Sequence, residues 1–201
     1  MSTIETERLV LRPFRESDAS DVLEYRSGPL PHCFASLKLD SPEEARAEML
    51  KRGADTEYCF AIVLKESGKV IGEIDAEPST YEPPGLRSKK TAPLPPPDTY
   101  SPCWMLNAAY QGSGYAYEAA YAFFDYLFTR KGVRRIFAYV DDYNARSQHL
   151  CEKLGMRNEG LFTEYVSFVR DAEGNPVYEN TFQYAILKKE WMNRLNSKTR
   201  T

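Results

Sequence analysis

The middle of the chain carries seven apolar or small residues spaced as on one face of an α-helix, and this feature constrains the fold most. They fall at offsets 0, 3, 4, 7, 8, 11 and 12 from the first, which is the repeat of an amphipathic helix. A helix with such a face is expected to pack against another layer of secondary structure. The residues are Ala116, Ala119, Ala120, Phe123, Phe124, Leu127 and Phe128.

A turn that contains Gly112 and Gly114 follows a strand-like segment and opens this helix. The N-terminus of a helix leaves backbone N–H groups unpaired and carries a partial positive charge. Glycines let a ligand approach such groups closely. The turn therefore favours an anion site for a phosphate or pyrophosphate.

Two common nucleotide-binding patterns do not match this turn. A P-loop requires Lys followed by Ser or Thr at a fixed spacing, which these glycines lack. A dinucleotide fingerprint requires a third glycine, where this chain has Tyr117. From the glycines alone, a tight turn without a ligand stays open as an alternative.

The remaining segments alternate between strand and helix character. Their mixed order predicts an α+β (α/β) fold, with helices packed on a mixed sheet of about seven strands. Strands are expected near 9–14, 58–64, 69–75, 103–106, 135–140, 156–168 and 177–187. Helices are expected near 17–26, 41–52, 116–131 (closed by Gly132), 145–154 and around Trp191.

A proline-rich segment at about 78–102 interrupts this pattern. It contains eight prolines and no apolar periodicity, which is typical of a long loop or insertion. The length of 201 residues suits one domain. We therefore expect a single domain over 1–201 that carries this insertion.

The formal net charge of -3 and the scattered cysteines narrow the classes of partner. A weakly acidic chain does not suggest a nucleic-acid or membrane-surface protein. With two histidines and no paired cysteine motif, a metal site is not expected. No signal-peptide pattern or long apolar run is present, so we expect a cytoplasmic protein. The cysteines, expected to be reduced, are Cys33, Cys59, Cys103 and Cys151.

Gln111-x-x-Gly114-x-Ala116 resembles the Q/R-x-x-G-x-G/A signature of the GNAT acetyltransferase superfamily. The wider chain looks like its ribosomal-protein-alanine acetyltransferase (RimJ/RimL-like) branch, apart from the proline-rich insertion. The matching pieces are ETERLVLRPFRESDA, Val70-Ile71-Gly72-Glu73, QGSGYAYEA, RRIFAYV, Asp142-x-Asn144-x-x-Ser147, Glu152-Lys153-Leu154-Gly155-Met156, Glu159-Gly160 and Tyr184-Ala185 to Trp191.

The resemblance implies an acyl-CoA N-acyltransferase fold, with a mostly antiparallel sheet splayed between its fourth and fifth strands. Here these strands would be about 103–107 and 134–140, with acetyl-CoA in the split and helices on both faces. The implied cofactor-binding residues are the pantetheine-pairing backbone of Met105, Leu106 and Asn107, the pyrophosphate turn of Gln111, Gly112, Ser113, Gly114, Tyr115 and Ala116, and Asn144 and Ser147 on the next helix.

The resemblance also implies acetyl transfer to a primary amine, by direct attack in a ternary complex. Glu164 matches the general base of the branch, and Glu73 competes with it. Ser147 matches the proton donor. Many relatives place a tyrosine donor where this chain has Cys151, which helical spacing with Leu150 and Leu154 favours as a core residue.

Alternatives remain at this level. A catalytically degenerate member could bind acetyl-CoA as a sensor or partner protein, and an unrelated phosphate-binding or scaffold protein would not bind it. The acceptor is expected to be a protein N-terminus or a small-molecule amine, recognised by segments near 20–40 and 165–178. The chain could be a monomer or a homodimer.

Overall fold

A single open sheet organises the computed structural model, which describes residues 2–79 and 96–198. In this part of the chain the sheet has eight strands in the order β1-β2-β3-β4-β5-β6-β8-β7. Every neighbouring pair is antiparallel except β5 and β6, which are parallel. The strands are β1 Ile4–Glu5, β2 Leu9–Arg12, β3 Cys59–Leu64, β4 Val70–Pro78, β5 Thr99–Leu106, β6 Arg135–Asp141, β7 Arg157–Arg170 and β8 Pro176–Leu187.

Five α-helices connect and cover the strands. Ser41 begins the second helix as an N-cap, because its hydroxyl accepts from the Glu44 N–H and Pro42 follows it. Gly155, with φ 82°, ends the fourth. The helices are α1 Ala19–Arg26, α2 Pro42–Gly53, α3 Tyr115–Thr129, α4 Ala145–Leu154 and α5 Lys188–Lys198, and a 3₁₀ segment spans His32–Leu37.

Two hydrophobic clusters lie on opposite faces of the sheet. The larger contains the predicted apolar face of α3, including Phe123 and Phe124, together with Leu154 of α4 and Trp191 of α5. The smaller packs residues of α1 and α2, such as Val22, against the other face. The predicted mixed sheet with helices on both faces is confirmed. The estimate of about seven strands omitted the two-residue strand β1.

The parallel pair β5 and β6 is splayed. The two strands pair only at Thr99–Arg135 and Tyr100–Ile136. Beyond these positions β5 stays paired with β4 up to Leu106, while β6 stays paired with β8 up to Asp141. The sheet therefore opens between the two strands toward their C-terminal ends, as the resemblance implied.

The boundaries predicted for the proline-rich insertion were too wide. Strand β4 extends to Pro78 and β5 begins at Thr99, so both ends of the 78–102 segment are paired strand. Pro102 lies inside β5 opposite Ala76, a position that sequence rules treat as unfavourable for proline. Residues 80–95 of the predicted insertion lie outside the described residues.

Candidate active-site cleft

A cleft of about 300 Å³ occupies the opening between β5 and β6. Its lining is mostly apolar and aromatic, with a few polar side chains near the open end, which is the usual composition of a small-molecule site. The lining residues are Cys33, Phe34, Ser101, Pro102, Cys103, Trp104, Ala138, Tyr139, Val140, Asp141, Asn144, Ser147, Tyr165, Val166, Phe168 and Thr181.

The edge of β5 that faces the cleft carries backbone groups without a strand partner beyond Tyr100. The Asn107 N–H donates to the Ile71 carbonyl on the β4 side, whereas the Leu106 carbonyl accepts from the Gln111 side chain. Backbone groups alternate in direction along an antiparallel strand. Leu106 and Trp104 therefore present theirs to the cleft, and Met105 and Asn107 present theirs to β4.

This alternation also explains the proline within β5. Pro102 shares the parity of Trp104, so its backbone nitrogen faces the splayed edge, where β6 is not paired with it. A missing N–H costs no ladder hydrogen bond at such an edge. Side chains alternate between the two faces of the sheet with the same two-residue period. Met105 is buried in the smaller cluster beneath α1 and α2, whereas Trp104 and Leu106 pack against the larger one.

The glycine turn lies at the open end of the cleft and leads into α3. Gly112 has φ 81°, and Gly114, the N-cap of α3, has φ 83°. Both lie in the left-handed region that favours glycine. The first N–H groups of α3, including those of Tyr115 and Ala116, have no partner within the helix. The predicted glycine turn at the start of this helix is present, and anion binding there stays a prediction.

Two arginines that were not predicted flank this turn. Arg8 donates to the Ser113 carbonyl at 3.0 Å, and its guanidinium lies 4.4 Å from the centre of the Tyr115 ring. Arg146, in the first turn of α4, donates to the Gln111 side-chain oxygen. Both come from segments distant in sequence from the turn, so only their positions in space reveal them.

Asn144 and Ser147 lie together at the start of α4, and both line the cleft. Asn144 is the N-cap of the helix, because its side-chain oxygen accepts from the Ser147 N–H at 3.1 Å. Asn144 therefore caps α4 and also lines the cleft. The third predicted polar residue, Asn107, is buried, and its amide donates to Glu24 at 2.9 Å.

Glu73 is buried on the α1 side of the sheet, at 2% exposure. One carboxylate oxygen accepts from the Tyr25 hydroxyl at 2.9 Å, and the other lies 2.5 Å from the Arg26 guanidinium. Arg52 lies 3.8 Å from it. Glu73 is not among the described residues that line the cleft. Through Tyr25 and Arg26, its carboxylate connects α1 to strand β4.

Glu164 lies at an irregular position of β7, where the register with β8 shifts between Phe162 and Val166. It is the one described non-glycine residue with positive φ, at 48°. Its N–H donates to the Asn180 side chain at 2.9 Å, and its side chain is exposed. The next two residues, Tyr165 and Val166, line the cleft.

A second polar group, not predicted as a site, lies on the opposite wall of the cleft. Asp141 ends β6 and is directly opposite Thr181 of β8 in the antiparallel register. Both line the cleft and are buried, at 6% and 2% exposure. Burial raises the pKa of Asp141, partly offset by a hydrogen bond with Cys33.

Glu179 lies two residues before Thr181 on β8 and is also buried. Its carboxylate lies 2.5 Å from His32 Nδ1 and accepts from the Tyr143 hydroxyl at 2.9 Å. The 3₁₀ segment that contains His32 thus covers this wall of the cleft. Burial and the nearby Asp141 carboxylate raise the pKa of the Cys33 thiol to about 12.

The structure also locates the other sequence features. Cys151 is fully buried in the core beside Leu154, as its spacing predicted, and all four cysteines are free thiols. In residues 2–79 and 96–198, no group of three or more His, Cys, Asp or Glu residues is arranged to hold a metal ion. Over the same ranges, no helix has the length and apolar character needed to cross a bilayer.

Comparison with known proteins places this geometry in a family. The chain matches the family model described as an acetyltransferase (GNAT) domain over residues 8–157. It is 31% identical over 188 residues to the Bacillus subtilis (strain 168) protein named uncharacterized N-acetyltransferase YnaD, covering 94% of this chain and 98% of that protein.

Solved structures agree with this assignment. The GNAT-family acetyltransferase from Bacillus anthracis aligns with a TM-score of 0.73 at 28% identity, covering 94% of this chain and all of that one (100%). The ribosomal-protein-S5-alanine acetyltransferase from Vibrio fischeri aligns with a TM-score of 0.67 at 20% identity, covering 95% and 99%. The likeness to the Vibrio fischeri protein demonstrates a shared fold.

Proposed function

Because the chain belongs to the GNAT family of acetyl-CoA-dependent N-acetyltransferases, we propose that it transfers the acetyl group of acetyl-CoA to a primary amine by direct attack. The observation that carries this proposal is the splayed parallel pair β5–β6 with the glycine turn at its open end. This arrangement offers an extended edge for a pantetheine arm and a helix N-terminus for a pyrophosphate.

Residues of the turn and its flanking arginines would hold the anionic end of acetyl-CoA. The N–H groups from Gly112 to Ala116, at the turn and the first positions of α3, would bind the pyrophosphate. Arg146 adds positive charge on one side of it, whereas the Arg8 guanidinium on the other side is paired with Glu118 at 2.6 Å. The open edge of β5 at Trp104 and Leu106 would pair with the amide groups of the pantetheine arm.

The reaction needs no covalent enzyme intermediate. The amine nitrogen forms a bond with the thioester carbonyl carbon, the C–S bond breaks, the nitrogen loses a proton, and the coenzyme A thiolate gains one. Backbone N–H groups at the open edge of β5 would stabilise the oxyanion. A free alkyl amine has a pKa of roughly 10.4, so a proton acceptor is required.

For the proton acceptor we propose Glu164, acting through water, and for the proton donor Ser147. Glu164 precedes two cleft residues, and its positive φ is a strained conformation of the kind that concentrates at functional sites. Ser147 lines the cleft. Glu73 is the weaker candidate, since Tyr25 and Arg26 occupy both of its carboxylate oxygens.

Calorimetric titration with acetyl-CoA tests the proposal. We expect saturable binding by the natural protein and loss of binding in Gly114→Trp, whose side chain would start 3.5 Å from the Arg8 guanidinium and fill the turn. Gly68→Trp is the matched control, because Gly68 also has positive φ (71°) and open space, but lies in the β3–β4 turn.

Release of coenzyme A thiol in the presence of primary amines then separates an enzyme from a protein that only binds acetyl-CoA. Absence of acetyl-CoA binding by the natural protein would contradict the proposed function. Equal loss in Gly114→Trp and Gly68→Trp would mean that backbone strain, rather than a filled pyrophosphate site, explains the result.

A further inference from the structure

Thr181 lines the cleft, and its buried hydroxyl has no hydrogen-bond partner among the described residues. Its hydroxyl is the one cleft-lining side-chain group among the described buried atoms that lacks a hydrogen bond. Buried hydroxyls are normally paired, so the unpaired hydroxyl of this cleft-lining residue is available to a polar group that enters the cleft. The residue directly across the ladder is Asp141, and such cross-strand pairs have Cβ atoms about 4.5–5.5 Å apart on the same face.

Two buried carboxylates, those of Asp141 and Glu179, lie at this wall of the cleft. Asp141 has no ion pair with a Lys or Arg of residues 2–79 and 96–198. Its hydrogen-bonding neighbours are the Cys33 thiol and the Tyr143 hydroxyl, both of which are uncharged donors. Glu179 adds a second buried carboxylate nearby, already bonded to His32 and Tyr143. A buried carboxylate without a cation is unfavourable, and a cationic ligand would relieve this.

Aromatic rings form the adjoining walls. Tyr139 and Tyr165 lie 5.5 Å apart between ring centres, and Trp104 lines the β5 side. Burial and its hydrogen bond with Tyr165 raise the pKa of Tyr139 to about 12, so the phenol stays neutral at physiological pH. Neutral aromatic faces contact alkyl chains well and attract ammonium groups.

We propose that the acceptor is an aliphatic amine that enters the cleft as its ammonium ion, held by Asp141 and Thr181 and enclosed by these aromatic rings. This inference rests on the proposed acetyl transfer, in which Glu164 would receive the proton. Asp141 and Thr181 are then specificity-determining residues. Anilines, which are uncharged at neutral pH, and α-amino acids, whose carboxylate Asp141 repels, are expected to be poor acceptors.

The test measures amine binding directly, by ligand-observed NMR titration of the coenzyme A-saturated protein with 1,4-diaminobutane and with aniline. We expect saturable binding of the diamine and at least about tenfold weaker binding in Asp141→Asn, the size expected for one charge-assisted hydrogen bond. Asp142→Asn removes the same charge from the adjacent exposed residue and should change affinity less than twofold.

Thr181→Val keeps the shape of the side chain and removes the hydroxyl. Because that hydroxyl has no partner in the free protein, the variant should be at least as stable, yet bind the diamine severalfold more weakly. This combination keeps the test decisive if Asp141→Asn does not fold. A purely structural role for Thr181 would leave amine binding unchanged.

Three results would overturn the inference: aniline binding as tightly as the diamine, equal binding by Asp141→Asn and the natural protein, or no diamine binding. If 1,4-diaminobutane does not bind while acetyl-CoA still binds, the assignment of the acceptor is wrong and the proposed acetyl transfer is unaffected. If acetyl-CoA itself does not bind, the proposed function is wrong.

Discussion

Arg26 of α1 and Glu73 of β4 form a buried ion pair, with 2.5 Å between Nη2 and Oε1 and side-chain exposures of 1% and 3%. Tyr25 donates to the second carboxylate oxygen at 2.9 Å. The Arg26 guanidinium also lies 3.6 Å from the Glu48 carboxylate, and its Nε has no partner within residues 2–79 and 96–198. Glu73 is therefore its nearest counter-charge. This pair attaches α1 to the face of the sheet opposite α3.

Glu73→Gln is expected to lower the free energy of unfolding by up to about 3–5 kcal/mol, because the buried Arg26 guanidinium loses its nearest counter-charge and keeps only Glu48 at 3.6 Å. Urea denaturation measures the loss. Glu77→Gln, at an exposed position of the same strand, should stay within about 0.5 kcal/mol. If Glu73→Gln kept its stability and lost kcat, Glu73 would replace Glu164 as the proposed base.

Glu164→Gln is expected to reduce kcat by about 100-fold or more, the usual contribution of a general base. Its stability should change by less than about 0.5 kcal/mol, since the side chain is exposed. Steady-state kinetics at a fixed pH measure kcat. Glu173→Gln, exposed in the β7–β8 turn, is the control, and an unchanged kcat in Glu164→Gln would remove the assignment.

Substitutions of Asn144 and Ser147, at the start of α4, are expected to affect different properties, stability for Asn144 and kcat for Ser147. Asn144→Ala is expected to lower the free energy of unfolding by about 1 kcal/mol, because it removes the N-cap bond to the Ser147 N–H. Ser147→Ala keeps that bond, so it should retain stability and lower kcat by about tenfold or more as a proton donor is lost. Equal kcat in Ser147→Ala and the natural protein would argue against the donor role.

The contribution of Glu118 to the free energy of unfolding is expected to depend on pH. Burial alone would raise its pKa, but hydrogen bonds from Thr6 and Arg8 outweigh it and hold the pKa below the ordinary value of 4.5. A lowered carboxyl pKa stabilises the folded state above the unfolded pKa, and that stabilisation is lost as pH falls through the folded pKa.

Glu118→Gln should therefore be less stable than the natural protein at pH 7, by about 1 kcal/mol. The difference should shrink as the pH falls below 4.5. Denaturant titrations at several pH values from neutral to about 3 measure this difference, with Glu152→Gln, an exposed residue of α4, as reference. A difference that grows on acidification would contradict the assignment.

Local features were readable from the sequence because they depend on neighbouring residues. The helical period of α3, the glycines that need positive φ, and the Asn144 cap act within a few positions of one another. The family signature joined these features into a splayed sheet, and β5–β6 pairing confirms it. Pro102 was misread because a proline within a strand is tolerated only where its nitrogen faces an unpaired edge, and that edge is a property of the whole sheet.

The sequence by itself determined most of the elements, the glycine turn and the resemblance to the family. Only the tertiary structure decided which polar groups meet. His32 and Glu179, 147 residues apart, come together when the 3₁₀ segment covers β8, and Asp141 faces Thr181 through the β6–β8 register. The physical reason is that such contacts follow from strand pairing and layer packing, which one strand's own composition does not specify.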